Sequence, residues 1–200
     1  GPIRNAVIAR LPEAEINLAA WGGIVFPMAL IISAPVIMLI STANALATHL
    51  QAYRKLRRFM LVISLALTAV HAIIAFSPLY DVFVREIIGA PEEIIGPGRV
   101  GLMIMLPWTW SLAFRRFHQG LMIGYGHSKA VGLGTLIRLV TVSALLAIGY
   151  SIRNLSGIVV GAGASAIGVI CEAVYAGLRA RPIINHEIPE RRDDEEALTT

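Results

Sequence analysis

INLAAWGGIVFPMALIISAPVIMLISTANALATHLQAY, residues 16–53, contains no Asp, Glu, Lys or Arg. Further charge-free runs cover residues 59–80, 100–114, 139–152 and 154–171. A helix crosses the hydrocarbon core of a bilayer with about 20 mostly apolar residues. A helix on the surface of a water-soluble domain keeps one polar face and so interleaves charge. The chain therefore reads as all-α, a polytopic transmembrane helical bundle of about five spans.

The runs place the spans at residues Ile16–Leu46, Arg58–Leu79, Ile94–Phe114, Ser128–Tyr150 and Leu155–Leu178. The bundle covers residues 11–180, and a polar cytoplasmic linker or tail covers 181–200. The composition agrees, with 56% hydrophobic and 15% charged residues and a mean hydropathy of +0.70; soluble domains carry about 25% charged residues. Pro27 and Pro35 in the first span and Pro107 in the third predict kinks, because proline lacks the N–H that an interior turn needs. Trp108 and Trp110 lie well inside the third span, where they pack in the bundle or face a cavity. The lone cysteine, Cys171, sits in an apolar run and reads as a packing residue. The chain starts Gly1-Pro2, with no signal peptide and no initiating Met, which suggests a fragment.

The basic residues set an orientation. Arg54, Lys55, Arg57, Arg58, Arg115, Arg116, Lys129, Arg179, Arg181, Arg191 and Arg192 fall on one side, eleven in all, against Arg4, Arg10, Arg85, Arg99 and Arg153 on the other. The positive-inside rule makes the side of the eleven cytoplasmic. The C-terminus is then cytoplasmic, the N-terminus outside, and the segment Asp81–Glu93 outside. The net charge of +4 reports this asymmetry and implies no nucleic-acid partner.

Ionisable groups at bilayer depth are costly and mark pathways or paired sites. Arg138 lies about 15 Å into its helix at 1.5 Å per residue, and His71 about 20 Å into its own. Glu172 lies nearer the cytoplasmic face. With Arg115, Arg116 and Gln119 they form the candidate substrate or ion pathway: Arg138 as an anion contact, His71 as a titrating group, Glu172 as a partner. The competing reading is a structural Arg138–Glu172 pair fixing the last two helices, with His71 hydrogen-bonded to a carbonyl. Arg115-Arg116-Phe117-His118-Gln119-Gly120 reads either as a positive-inside anchor or as a contact for an anionic headgroup or substrate. Gly157, Gly161, Ser165 and Gly168 let helices approach closely in lipid. Gly161-Ala-Gly163 is no nucleotide loop, since no strand precedes it. No metal-ligand spacing, cofactor motif or catalytic constellation appears, so the chain does not read as an enzyme.

Several strings point to a family: Leu56-Arg-Arg-Phe59, Ala75-Phe-Ser-Pro-Leu-Tyr-Asp81, Gly89-Ala-Pro-Glu-Glu-Ile-Ile95, Pro107-Trp-Thr-Trp-Ser111, Phe114-Arg-Arg-Phe-His-Gln-Gly120 and Ala130-Val-Gly-Leu-Gly-Thr135. In order and spacing, from about Leu11 to Thr200, the chain resembles a prokaryotic branch of the MATE-like exporters. These belong to the multidrug, oligosaccharidyl-lipid and polysaccharide flippase superfamily, and the branch is similar to the progressive ankylosis proteins. The resemblance implies two six-helix lobes around a central cavity with alternating access. On that pattern the chain corresponds to helices two to six of the first lobe, without its first helix, and its missing partner is the second lobe. The cation-site carboxylate that many members carry on the first helix has no counterpart here. The resemblance further implies a secondary-active exporter in the plasma membrane, moving a small-molecule substrate against H+ or Na+. Lipid-linked saccharide flipping and organic-anion or pyrophosphate export occur on the same fold, and Arg138 with Arg115-Arg116 favours an anion. A membrane scaffold that transports nothing would instead have a packed, apolar interior.

Overall fold

The structure, a computed structural model, describes residues 2–152 and 154–190. The sides assigned to Arg153, Arg191 and Arg192, and the charged run that ends the chain, lie outside the described residues. Helix α1 is Pro2–Ile8. Helix α2 is Ala14–Leu46 and α3 is Leu50–Phe76. A short α4, Leu79–Val82, continues into a π turn, Phe83–Ile87. Then come α5, Glu92–Ile104, and α6, Leu106–Gly124. Helix α7 is Ser128–Ile152 and α8 is Gly157–Glu187. The described residues contain helices and no strands, an all-α bundle.

Four of these helices, α2, α3, α7 and α8, are long and apolar enough to cross a membrane. The remaining expected span differs from its prediction. It is broken at Met105 into pieces of 13 and 19 residues, and the second carries Arg115, Arg116, His118 and Gln119. The pair nonetheless runs the length of α2. A Cβ on Gly98 would meet Ile24, one on Gly101 would meet Val25, one on Gly120 would meet the Ile40 carbonyl, and one on Gly124 would meet Asn44. The break follows from Pro107, whose ring denies Met103 its helical donor.

Helix α6 tolerates polar residues because other protein, not lipid, surrounds it. Twelve of its residues are buried, among them Arg115, His118 and Gln119, and α2, α3 and α8 pack around it. The lipid-facing helices look different. Only 11% of the most apolar stretch of α7 is buried, and it exposes Leu133, Leu136, Val140 and Ile148. Helix α3 likewise exposes Val62, Leu65, Val70 and Ile73. Such faces are stable against acyl chains and not against water.

The expected boundaries shift in three places. Helix α3 starts at Leu50 and not at Arg58, so Arg54, Lys55, Arg57 and Arg58 ride on its first turns; Lys and Arg are good helix formers and extend a span past the membrane surface. Helix α8 continues through Arg179 and Arg181 to Glu187, so the start of the expected tail belongs to the bundle. Ile183 and Ile188 are buried, and the Leu50 N–H donates to the Pro189 carbonyl at 2.8 Å. The bundle also begins before residue 11: Ile8 of α1 is fully buried, seated where a Cβ on Gly157 or Gly161 would fall.

Local devices fix the ends. In α2 a π turn at Trp21–Val25 precedes Pro27, and the Phe26 N–H reaches back to the Trp21 carbonyl. At one end of the bundle the Tyr125 hydroxyl donates to the Ala47 carbonyl at 2.9 Å, and His127 Nε2 donates to Glu187 at 3.0 Å. At the opposite end Asn17 is fully buried; its Oδ1 accepts from the Ser156 hydroxyl at 2.9 Å and the Ile158 N–H at 3.1 Å, capping α8 from another helix. There the Tyr80 hydroxyl donates to the Ile95 carbonyl at 2.7 Å. Burial pushes that hydroxyl above its ordinary titration range, so it remains a donor. Arg99 lies over the Tyr80 ring and binds Asp81 at 2.8 Å.

The closest approach of helices gives a test. Gly120→Ala places a methyl group against the Ile40 carbonyl and within 2.9 Å of Ala43 Cβ, whereas a Cβ on Gly132 meets nothing within 4 Å. Overpacking costs about 1–3 kcal/mol. Gly120→Ala should lower the thermal midpoint of the purified protein in micelles, and Gly132→Ala should not.

Candidate functional site

Glu172 of α8 is fully buried and meets three side chains from two other helices. Arg115 Nη1 donates to its Oε2 at 2.7 Å, Gln119 Nε2 donates to Oε1 at 3.1 Å, and Arg138 forms an ion pair with Oε2, its Nε 3.1 Å away. Arg115 and Gln119 reach it together because four residues are about one turn of α6. Arg138 comes from the middle of α7, 37% exposed. Four of the residues expected on the pathway, Arg138, Glu172, Arg115 and Gln119, thus meet at one point. Arg115 and Arg116 are not loop anchors. Both lie inside α6, and Arg115 is 6% exposed, because α6 runs to Gly124 and not to Phe114 as expected.

This cluster forms one wall of a cavity of about 480 Å³. Among the described residues four arginines line it, Arg4, Arg115, Arg116 and Arg138, and no Asp or Glu does. Arginine stays ionised in proteins. Among the described residues only Glu172, set behind the wall, offsets them, which leaves an excess of three positive charges. The rest of the lining is mostly apolar, with Phe26, Leu30, Leu112, Leu139, Val142 and Val169.

Arg4 was expected on an outer surface; it sits here. Its guanidinium stacks 4.0 Å from the Trp21 ring and donates from Nη1 to Ser165 Oγ at 3.0 Å, while the Ser165 hydroxyl donates to the Gly161 carbonyl at 2.7 Å. Ser165 is therefore both a small packing residue and an anchor for a cation. Gly168 lets α7 approach, since a Cβ there would strike Val142.

Four cavity-lining residues carry a buried N–H without a partner: Arg4 Nε, Arg115 Nε, Arg116 Nε and Trp108 Nε1. An unsatisfied buried donor costs about 1–3 kcal/mol. Donors gathered around one cavity suit a ligand with several acceptor oxygens.

His71 is elsewhere. It is fully buried between α3 and the α5–α6 break and does not line the cavity. Its Nε2 lies 3.0 Å from the Leu102 carbonyl and its Nδ1 lies 3.1 Å from the Thr109 hydroxyl. A carbonyl only accepts, so Nε2 carries the proton, and a neutral ring accepts from Thr109 at Nδ1. The carbonyls of a last helical turn lack intrahelical donors; His71 supplies one and ties α3 to the break. Among the described residues no group of His, Cys, Asp and Glu could hold a metal ion.

Comparison with protein-family models, with curated proteins and with solved structures gives no match. The likeness to MATE-like exporters therefore rests on the sequence strings.

Removing Glu172 leaves the buried Arg115, the partly exposed Arg138 and Gln119 without their partner. Breaking a buried ion pair costs about 3–5 kcal/mol. Glu172→Ala should lose that much stability in denaturant titrations of the purified protein. Arg116→Gln, which among the described residues touches no ion pair, should lose less than about 1 kcal/mol, the range of ordinary substitutions.

Proposed function

We infer that this chain is part of a secondary-active membrane exporter that works by alternating access and carries a small organic anion, coupled to H+ or Na+ and located in the plasma membrane. One observation carries the reading: between helices apolar enough to cross a membrane, four arginines and, among the described residues, no carboxylate line a cavity with unpaired donors. Its volume lies within the usual range of about 300–1,000 Å³ for small-molecule sites. The ordered strings that resemble MATE-like exporters support the transporter class. The sign of the cavity favours an anion over the drug cations that other members of that superfamily move, and its apolar wall favours a substrate with an organic body. A non-transporting scaffold would have no reason to keep excess charge in its interior.

The charge distribution also supports an orientation. With Arg115 and Arg116 assigned to the interior, Arg54, Lys55, Arg57, Arg58, Lys129, Arg179 and Arg181 still crowd one end of the bundle. We take that end as cytoplasmic. A cysteine at Lys55 should stay unlabelled by an impermeant thiol reagent in intact cells, while one at Glu86 should label; the reverse pattern overturns the orientation.

The anion reading is tested by binding, which does not depend on a second lobe. Isothermal titration of the purified protein with benzoate and with pyrophosphate should show saturable binding, and the lipophilic cation tetraphenylphosphonium should show none. A hydrogen bond to a charged group contributes about 1.5–3 kcal/mol, so Arg116→Gln should weaken anion binding about 10- to 100-fold with little change in melting. Binding of the cation without either anion would sink the reading.

A further inference from the structure

A second concave site lies across α6 from the cavity. It is a groove of about 930 Å³ between α3, α6 and α8. Its charge is one-sided: Arg54, Arg57, Arg181 and His118 line it, with Tyr53 and Asn185, and among the described residues no Asp or Glu does. Among the described residues none of the three arginines has a carboxylate partner.

The groove also has a polarity gradient along the bundle axis. Arg181 and Asn185 sit at the end of α8, while Val174 and Ile170 lie progressively deeper on the same helix. From Arg181 to Ile170 the rise is about 16 Å, at 1.5 Å per residue. Helix α6 matches this order, with His118 at the basic end, then Phe114, then Trp110. The apolar stretch is open at its flank: Val174 is 55% exposed, Leu178 52% and Trp110 36%. A basic head region at the membrane surface that leads into an apolar channel facing lipid has the shape of an amphiphile with an anionic head. A free phosphate would use the head region and leave the channel without a purpose. A peptide would need acceptors and donors along the channel, and its walls there offer few.

We propose that this groove is a binding site for one anionic phospholipid, with its phosphate held by Arg54, Arg57 and Arg181 and one acyl chain laid along Phe114, Trp110, Ile170 and Val174. Basic pockets between membrane helices hold such headgroups at the cytoplasmic face, where anionic lipids concentrate. In that arrangement the arginines donate to the phosphate oxygens, as guanidinium groups do to phosphate. The site is separate from the four-arginine cavity: no described residue lines both. A lipid bound here braces α3 against α8 beside the buried helix.

The test uses the purified chain in neutral micelles. Phosphatidylglycerol should raise the melting midpoint in a saturable way, while phosphatidylcholine and inorganic phosphate should not. Each basic group near the surface contributes about 1 kcal/mol, so Arg57→Gln combined with Arg181→Gln should weaken the phosphatidylglycerol effect about 30-fold. Arg179→Gln, on the same end of α8 but outside the groove, should weaken it less than threefold, roughly the share of a remote charge. Equal loss in Arg179→Gln, or equal protection by inorganic phosphate, overturns the proposal. A second reading needs no variant. Trp21 and Trp108 are buried and Trp110 is the exposed tryptophan at the groove. Phosphatidylglycerol with brominated chains should therefore quench tryptophan fluorescence at lower mole fraction than brominated phosphatidylcholine. Equal quenching by both would overturn the proposal as well.

Discussion

A single carboxylate organises the interior. Glu172 is the one acid among the described residues buried within the bundle, and α6 and α7 both point arginines at it. An unpaired charge at this depth is costly, whether it is the acid or the bases that stand alone. Helix α8 therefore cannot slide or rotate against α6 and α7 without stranding one of them. The small residues of α8 act under that constraint. Gly168 brings α7 close enough for Arg138 to reach across, and Gly157 and Gly161 admit Ile8, which seats α1 and so delivers Arg4 to the same cavity.

Helix α6 is the other half of the constraint, because its two flanks do different things. At about 100° per residue, Trp108, Leu112, Arg115, Arg116 and Gln119 share one arc and turn toward the cavity and Glu172. Trp110, Ser111, Phe114 and His118 share another and turn toward the basic groove. A helix polar on two flanks is unstable against lipid. It survives here because α2, α3 and α8 surround it, and the Gly120 and Gly124 contacts let α2 come close enough to close the last gap. His71 serves the same enclosure by taking up a carbonyl that the break at Met105 would otherwise strand.

This arrangement explains what was legible in the sequence. The charge-free runs marked α2, α3, α7 and α8 because lipid contact demands apolar side chains over a full crossing. Arg138 and Glu172 stood out because an ion in such a run needs a reason. By the same logic Arg115 and Arg116 read as the end of a span, because charge interrupts an apolar run and shielding by neighbouring helices leaves no mark in a local window. The start of α3 was missed for a related reason, since basic residues at the interface continue a helix and do not end it. Arg4 and Asn17 act over sequence separations of 161 and 139 residues. An asparagine at the edge of an apolar run was the only local sign of either contact.

The charge balance of the cavity bears on how an anion carrier would work. Glu172 already occupies Arg115 and Arg138, while Arg4 is held by a hydroxyl and an aromatic face and Arg116, among the described residues, by no ion. An entering anion would meet Arg116 and Arg4 first, with no ion pair to break. To bind more deeply it would have to compete with Glu172 for Arg138, the more exposed of the two clamped arginines. That competition loosens the link between α7 and α8 while leaving Arg115 and Gln119 in place between α6 and α8. Substrate binding and helix movement would then be one event, because the same guanidinium serves both contacts and a ligand shifts a conformation only through such a difference in contacts.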